Sequence, residues 1–555
     1  MTLLPIRGVR HLRRFQQIAQ ILVRHGFGEL VDLLGATPVF PLARVLRRRP
    51  SLGPPQRLRI ALEELGPTFV KLGQVLSTRP DLLPPAYIAE LARLQDAVPP
   101  APWELVRAQI EAELGAPIDD VFATLDPEPL AAASLAQVHA ATLPDGAEVV
   151  VKVQRPDIEA TINVDLDILA DAARLLQERT PLGELYDLPG IVEEFAATLR
   201  AELDFYREGH NADRFRANFA DEPYLYIPKV YWEYTTRRVL VMERIRGIKI
   251  DDIAALDAAG YDRYRIGLHA ARMIIKEVLE DGFFHADPHP GNFFVMPGEV
   301  IGAMDFGMVG YLSRRTRTDL VRLYVAAIQL DEEAVVDQLV RMGVVGGAVD
   351  RMGLQHDIGR LLRKYAGLPL KAIRARDVME EAMPIAFRHH LRLPPELWLL
   401  GKTLAMMEGV GLKLVPDFDM FAVSRPYVQR FMREMASPRA WMPSLIRGVG
   451  DWAQLLDMLP RTGMQLLTRA ERGELEVSLR HQELGRALVY LDRLANRLAL
   501  SILLAALIVG LALLVPAFHL AERGGLITAL VILGFALASL LGLGLVISIL
   551  RSGRR

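Results

Sequence analysis

The chain has 555 residues, more than a single hydrophobic core usually serves, and this length predicts two or three domains. Its 65 basic and 67 acidic side chains nearly cancel, so the composition indicates no nucleic acid or other polyanion as a partner. It contains no cysteine, which excludes disulfides, thiol nucleophiles and cysteine-bound zinc and fits a reducing cytoplasm.

The N-terminal segment, residues 1–53, combines arginines with apolar residues at helical spacing. Arginines cluster between positions 7 and 14, and the apolar stripe that follows consists of Phe15, Ile18, Ile21 and Leu22. No apolar core with a small-residue cleavage site follows Met1, so we predict no signal peptide. Such a helix lies on an anionic membrane surface or packs against the body of the protein, and the sequence leaves both alternatives open.

Residues 54–125 are predicted to form a helical extension that is interrupted by prolines. Within it, Lys71 and Gln74 are three residues apart and therefore share one helix face. Gly73 between them permits a close backbone approach. From these residues alone, the stretch is a helix with one basic edge.

Residues 126–247 begin with a run in which the period-two alternation typical of strands takes over. After Leu130-Ala131-Ala132-Ala133-Ser134, the runs 135–143 and 147–154 flank the turn Pro144-Asp145-Gly146 and predict a β-hairpin. Lys152 stands among valines, where a lysine is costly unless it is paired. It therefore binds phosphate and a carboxylate, or it belongs to an edge strand. The alanine run replaces a glycine-rich loop and predicts a stiffer cover over the phosphates.

Helices are predicted next, over 157–176 and, with an interruption, over 188–219. Glu202 and Glu208 in the second stretch lie on different faces, which suits two separate lysine partners, although solvated carboxylates explain the same pattern. Residues 227–230 and 239–244 are predicted strands. The stretch from Met242 and Glu243 to residue 245 is predicted to be the hinge between two lobes.

The most informative stretch is His285-Ala286-Asp287-Pro288-His289-Pro290-Gly291-Asn292, which precedes Asp305-Phe306-Gly307. Transfer or hydrolysis of a γ-phosphate needs a carboxylate beside the attacking hydroxyl, and an amide oxygen and a second carboxylate that hold divalent metal. Asp287 and Asn292 have the spacing of the kinase catalytic loop. Asp305 follows the apolar run 301–304, which predicts a short strand. A predicted helix over 261–281 leads into this loop.

The stretch after Gly307 bears on the acceptor. A helical pattern over 315–330 begins within a few residues, so no long activation segment and no A-P-E follow. Ala286 stands where many kinases have arginine. Both features favour a small substrate such as a lipid over a protein. The rest of residues 248–494 is predicted to be helical, and Gly401-Lys402-Thr403 is not a Walker A motif because Glu396 replaces its first glycine.

Residues 495–555 are predicted to form two transmembrane helices. The runs 498–518 and 526–550 contain no charged residue, and each is long enough for a hydrocarbon core of about 30 Å. Arginines flank the outer ends at positions 486, 493, 497, 551, 554 and 555, which places both termini and the catalytic body in the cytoplasm. A buried soluble hairpin is the alternative.

Taken together, these residues resemble the UbiB family of atypical kinase-like proteins, which is linked to ubiquinone biosynthesis. The resemblance covers about residues 54–414, and the predicted hairpin is similar to the tail of bacterial members. Its motifs are K-x-G-Q at Lys71–Gln74, A-A-A-S at Ala131–Ser134, E-x-D at Glu202–Asp204 and D-P-H-P-G-N at Asp287–Asn292. It implies an α+β, two-lobed, atypical protein-kinase-like fold with the N-terminal helical extension and the C-terminal hairpin.

The resemblance also implies roles for individual residues. Lys152 and Glu208 form the nucleotide lysine–glutamate pair, with the Ala131–Ser134 loop, Met242 and Glu243 completing the ATP or ADP site. Asn292 and Asp305 hold Mg²⁺. Asp287 is the catalytic-loop aspartate, and Lys71, Glu202 and Asp204 belong to an extension that closes over the active site.

Two functions follow from this resemblance. The first is a kinase or ATPase at the inner membrane that supports ubiquinone synthesis by acting on or presenting lipid and quinone precursors. The second is a nucleotide-gated scaffold that assembles quinone-biosynthesis enzymes with little turnover. The intact set of Asp287, Asn292 and Asp305 favours the first. A regulated protein kinase is disfavoured because no platform for a peptide is predicted.

Overall fold

A computed structural model describes residues 9–33 and 52–437, with gaps at 78, 80–81, 95–97, 181–182, 184–185, 346–349, 369–371, 390 and 392–393, and further on positions 502, 505, 506, 509, 533 and 534. The chain divides into two compact units, Met1–Pro443 and Ser444–Arg555. The predicted membrane hairpin lies outside the described residues except for those six positions. No helix within the described ranges is long and apolar enough to cross a membrane.

The N-terminal part is a set of short helices. They are α1 (Val9–Arg24), α2 (Gly28–Leu33), α3 (Pro54–Leu65), α4 (Pro67–Leu76) and α5 (Pro85–Leu91). Helices α3, α4 and α5 each begin with proline, whose missing N–H is not needed in a first turn. Gly66, with a φ of 97°, makes the sharp turn between α3 and α4.

The N-lobe follows. Its elements are α6 (Trp103–Leu114), α7 (Ile118–Val121), β1 (Thr124–Ala132), β2 (Ala136–Thr142), β3 (Glu148–Gln154), α8 (Ile158–Arg179), α9 (Leu188–Glu202), α10 (Phe205–Asn218) and β5 (Val239–Glu243). The short strand β4 (Leu225–Tyr226) precedes β5 in the chain but pairs with a strand of the C-lobe. Strands β1, β2, β3 and β5 form one antiparallel sheet in that order. The predicted hairpin is confirmed as β2 and β3, and the predicted helices over 157–176 and 188–219 are confirmed as α8, α9 and α10.

One strand of the structure was not predicted and one predicted strand is wrong, and prolines are the reason for both. Strand β1 was not predicted because Pro127 and Pro129 lie inside it; it is tolerated as an edge strand with shifts of register on either side of Pro129. The predicted strand over 227–230 is wrong. Pro228 cannot donate to a ladder, so β4 lies two residues earlier and only Val230 forms an isolated bridge, to Met242.

The apolar stripe of α1 faces the protein. Ile18 and Ile21 are buried in a cluster with residues of α3, α4 and α8, and Phe15 packs against its edge. Arg14 also donates from Nε to Oδ1 of Asp165 on α8 at 2.7 Å. Of the two alternatives for this segment, the structure shows packing against the body.

The remaining elements form the C-lobe. They are β6 (Ile248–Lys249), α11 (Ile253–Ala258), α12 (Arg263–Ile275), a π-helical turn (Lys276–Asp281), β7 (Phe283–His285), a 3-10 turn (Pro290–Asn292), β8 (Phe293–Met296), β9 (Val300–Ala303), β10 (Val309–Tyr311), α13 (Arg314–Ile328), α14 (Glu332–Arg341), α15 (Arg351–Tyr365), α16 (Ala375–Arg388), α17 (Pro395–Leu414) and α18 (Met420–Ala436). The sequence predicted the helix ahead of the loop, the short strand β9 and the start of α13 soon after Gly307.

One apolar core connects the two lobes. It contains fully buried phenylalanines from α10, β7, β8 and the D-F-G motif, which are Phe215, Phe283, Phe293 and Phe306. Val150 and Met242 of the N-lobe sheet and Leu400 of α17 belong to the same core. Because each such side chain stabilises the fold by about 1.5–3 kcal/mol, this core fixes the catalytic segments firmly against both lobes.

Candidate active site

Alternation along β3 decides which way Lys152 points. Val149, Val151 and Val153 are buried against α6 and α7, so Val150 and Lys152 face α10 on the other side of the sheet. There Lys152 Nζ donates to both carboxylate oxygens of Glu208, at 2.6 and 2.9 Å. The interpretation of Lys152 as a paired lysine is therefore confirmed, since β3 lies between β2 and β5.

Asp305 brings a second carboxylate to the same lysine. Its Oδ1 lies 3.5 Å from Lys152 Nζ and accepts from the backbone N–H of Gly307 at 3.2 Å. Its φ of 61° is left-handed, a conformation that aspartate tolerates better than most residues and that commonly marks a functional position. The Lys152 charge, with a smaller contribution from Lys71, lowers the pKa of Asp305 to about 2 against the opposing effect of burial.

The charges of this cluster are strongly coupled. Burial disfavours the Lys152 ammonium, but Asp305 and Glu208 outweigh it and raise the pKa of Lys152 above its ordinary value. Burial raises the pKa of Glu208. With its pKa lowered to about 2, Asp305 stays ionised over the whole physiological range, as a residue that binds a cation must.

The catalytic loop places Asn292 beside these groups. Asn292 ends a 3-10 turn, and its Nδ2 donates to the backbone oxygen of Asp287 at 3.3 Å. Its own backbone oxygen accepts from Met304 N at 2.8 Å, which ties the loop to the residue before Asp305. The hydrogen bond from Nδ2 orients the amide group. Its Oδ1, which carries the lone pairs, is the atom that can coordinate a metal.

A buried carboxyl supports the loop from below. Glu277, in the π-helical turn, accepts from the backbone N–H of His285 at 3.0 Å, and burial raises the pKa of Glu277 to about 8. Burial lowers the pKa of His285, whose Nδ1 accepts from the backbone N–H of Asp287 at 3.2 Å. A neutral His285 therefore holds the backbone of Asp287 in place.

Sequence reasoning missed one residue at this site. Lys402 on α17 donates from Nζ to Oδ1 of Asp287 at 3.0 Å, and the neighbouring Thr403 donates to the backbone oxygen of His285 at 3.3 Å. In the sequence, Lys402 belongs only to a stretch that does not match a Walker A motif. Nothing local to α17 indicates a contact with a loop 115 residues earlier in the chain.

The K-x-G-Q and E-x-D motifs meet where α4 packs against α9. Lys71 Nζ lies 3.0 Å from Glu202 Oε2, with both side chains mostly buried. Gly73 is required there, because a Cβ would come within 2.3 Å of Leu94 and 2.9 Å of Leu62. Asp204 caps α10 by accepting from Tyr206 N at 3.1 Å. The predicted arrangement of Glu202 and Glu208, with one lysine each, is confirmed.

The alanine loop lies at the turn between β1 and β2. Ala131 and Ala132 pair with Val138 and Gln137, and Ala133 N donates to Ala136 O at 2.8 Å. Ser134 is 1 % exposed and its Oγ is buried without a hydrogen-bond partner. Ser134 Oγ is therefore free to donate a hydrogen bond to a ligand at this turn.

The predicted hinge residues lie at the end of β5. Met242 is buried in the core that connects the lobes. Glu243 accepts from the hydroxyl of Tyr226 at 2.7 Å, and burial together with that bond raises the pKa of Tyr226 to about 12. These contacts hold the end of β5 against the core and against Tyr226.

The residues present fit a magnesium nucleotide. Mg²⁺ takes oxygen ligands and is commonly bound by one or two protein groups together with phosphate oxygens. Asp305 and Asn292 supply a carboxylate and an amide oxygen, Lys152 supplies a cation for phosphate, and Ser134 supplies a hydroxyl. Fold and residues together define the class of atypical kinase-like proteins.

Comparison with known families agrees with this class. The ABC1 atypical kinase-like domain matches residues 93–339, the UbiB helical domain matches 358–419, and the ABC1/UbiB kinase-like C-terminal domain matches 482–551. "Probable protein kinase UbiB" of Xanthomonas campestris pv. campestris (strain B100) is 37% identical over 524 residues, 91% of this chain and 94% of the relative. The protein of that name from Marinobacter nauticus is 39% identical over 417 residues, 74% and 76% of the two chains.

The chain therefore belongs to the UbiB family, as a bacterial member, and the resemblance seen in its motifs is confirmed. Among solved structures, "The complex structure of Rv3197-erythromycin from Mycobacterium tuberculosis" is similar over 71% of this chain and 97% of that chain, at 23% identity and a TM-score of 0.48.

Proposed function

We propose that this protein is an atypical kinase or ATPase that binds Mg-ATP between its lobes and supports ubiquinone biosynthesis by acting on or presenting lipid precursors. The observation that carries the proposal is the convergence of Lys152, Glu208 and Asp305 beside a loop that holds Asn292 and Asp287. Bound Mg²⁺ would neutralise charge on the transferring phosphoryl group. Lys152 would bind phosphate oxygens, and Asp287 would accept the proton of the attacking hydroxyl or water.

A small acceptor is supported by two features. Helix α13 begins at Arg314, soon after Gly307, with only the short strand β10 between them. The extension also contacts the body through the Lys71–Glu202 pair, and the charge of Lys71 contributes to the lowered pKa of Asp305. A short segment and a nearby extension leave little surface for a folded protein substrate.

The nucleotide assignment is tested by Asp305→Asn in the purified full-length protein. We expect the variant to lose the magnesium-dependent rise in melting temperature on addition of ATP or ADP, because it removes the charge that holds the metal. Asp119→Asn is the matched control, since Asp119 is an exposed residue of α7. A shift in Asp305→Asn equal to that of the wild type would refute the site.

The pathway is tested in cells. A deletion strain should accumulate ubiquinone precursors, and the wild-type gene should restore ubiquinone whereas Asp287→Asn should not. Full restoration by Asp287→Asn together with failure of Asp305→Asn would instead support the nucleotide-gated scaffold, because binding without transfer would then suffice.

We also propose that residues 498–518 and 526–550 anchor the protein as a helical hairpin with both termini in the cytoplasm. Their lack of charge and the flanking arginines support this topology. A reporter fused after Arg555 should be active on the cytoplasmic side. Activity on the periplasmic side would contradict the proposal.

A further inference from the structure

Helix α17 brings a lysine to the catalytic-loop aspartate from outside the kinase-like domain. The contact joins Lys402 Nζ and Asp287 Oδ1 at 3.0 Å. Lys402 lies in the segment 358–419 that matches the UbiB helical domain, whereas Asp287 lies in the segment 93–339 that matches the kinase-like domain. The pair therefore connects two parts of the chain that the family comparison separates.

The loop offers Asp287 no cation of its own. From His285 to Asn292 it contains no lysine or arginine, and the ring of His289 accepts from the backbone N–H of Gly291 at 3.1 Å. Lys152 is already shared by Glu208 and Asp305. A cation for the catalytic carboxylate thus arrives from a distant helix.

The register of α17 is fixed at this point. Thr403 is fully buried, and its hydroxyl donates to the backbone oxygen of His285. Leu400, one turn away on the same helix, is buried in the core that connects the lobes. Anchored on both sides, the helix holds the base of the Lys402 side chain in a set place beside Asp287.

The contact contributes little to stability. The two side chains are 38% and 37% exposed, and solvent screens ion pairs that are as exposed as this one. Thr403 and Leu400 are buried, yet they hold an exposed lysine beside a single carboxylate. A role in the chemistry of Asp287 explains this arrangement better than a role in stability.

We infer that Lys402 is a positioning residue for Asp287, an inference that rests on the proposed function. Lys402 holds the Asp287 carboxylate in the orientation in which it accepts a proton from the attacking hydroxyl or water. In that step the proton passes to Asp287, a bond forms from the attacking oxygen to the γ-phosphorus, and the bond from that phosphorus to the β–γ bridging oxygen breaks, which releases ADP.

The test replaces the ammonium by a neutral chain of similar length. We expect Lys402→Met to lower kcat for nucleotide turnover about 10²-fold, the usual cost of a misplaced catalytic group, with KM for ATP and the ligand-induced melting shift unchanged. Lys402→Arg should recover part of kcat. Lys413→Met, on the same helix with a more exposed side chain, is the matched control and should turn over like the wild type.

A double variant separates positioning from a structural role. Because Lys402 acts through Asp287, the variant that combines Asp287→Asn with Lys402→Met should be no slower than Asp287→Asn alone. Additive losses, an unchanged kcat or a raised kcat in Lys402→Met would each overturn the inference. A wild-type protein without nucleotide turnover would overturn the proposed function as well, whereas equal turnover in the wild type and Lys402→Met would overturn the positioning role alone.

Discussion

Two lysine–glutamate pairs have their glutamates on successive helices, α9 and α10, and they differ in the charged residues nearby. Lys71 on α4 meets Glu202 at the end of α9 at 3.0 Å, and Lys152 on β3 meets Glu208 on α10 at 2.6 Å. The two lysines are shielded to the same degree, with 14% and 16% of their side chains exposed. Burial of the cation therefore does not distinguish the pairs.

The distinction lies in their relation to Asp305. Lys152 has Asp305 as a second partner, so its charge offsets the repulsion between two carboxylates. Lys71 links α4 and α9 through Glu202, and its charge has a smaller effect on Asp305 than that of Lys152. Under the proposed function, the Lys152–Glu208 pair belongs to the nucleotide site, whereas the Lys71–Glu202 pair joins the extension to the body. Loss of the lysine should have different consequences in the two places.

The largest effect is expected for Lys152→Met. Its removal leaves Glu208 and Asp305 facing each other without a cation, which should lower the free energy of unfolding by about 3–5 kcal/mol and abolish nucleotide binding. Urea denaturation and thermal titration measure the two effects. Adding Glu208→Gln should restore part of the stability but none of the binding. A loss below about 1 kcal/mol would mean that the pair is solvated.

A smaller effect is expected for Lys71→Ala. Glu202 is more exposed than Glu208, and Lys71 affects Asp305 less than Lys152 does, so we expect a cost on the order of 2 kcal/mol, between exposed and buried pairs. The protein should remain folded, with altered nucleotide turnover or an exposed phosphorylation activity, because the extension loosens while the lobes keep their cores. It should fail to restore quinone synthesis.

Arg93→Ala is the matched control for that experiment, since Arg93 is an exposed residue of the extension that pairs with Glu90. It should leave turnover unchanged. A folded Lys71→Ala protein with wild-type turnover and full complementation would show that the Lys71–Glu202 pair serves the packing of α4 alone.

The two pairs also show what the sequence can predict. The cost of a lysine among valines predicted a carboxylate partner for Lys152, and the six-residue separation of Glu202 and Glu208 suited two separate lysines. These contacts follow from local periodicity together with a specific family resemblance. Asp305 and Asn292 were found for the same reason, because their spacing is a motif.

What the sequence missed depends on packing between distant segments. Lys402 reaches Asp287 only because α17 is anchored by Thr403 and Leu400, which no spacing in α17 reveals. Strand β1 was missed because prolines oppose a strand unless it lies at an edge, and edges are decided by the whole sheet. The sequence likewise left open whether the apolar stripe of α1 lies on a membrane or packs against the body, because its neighbours α3 and α8 are distant in the chain.

The smallest effect is expected for Asp204, which lies between Glu202 and Glu208 in the sequence. The structure shows it as the N-cap of α10, the helix whose first turn carries Glu208. Asparagine caps as well as aspartate, whereas alanine does not, so Asp204→Ala should lower the free energy of unfolding by about 1 kcal/mol and Asp204→Asn should not. Because the Asn variant keeps the cap and removes the charge, its turnover isolates any chemical role. Stability equal to the wild type with lost turnover would support the predicted catalytic aspartate, and equal turnover would leave Asp204 as the residue that holds α10, and with it Glu208, in place.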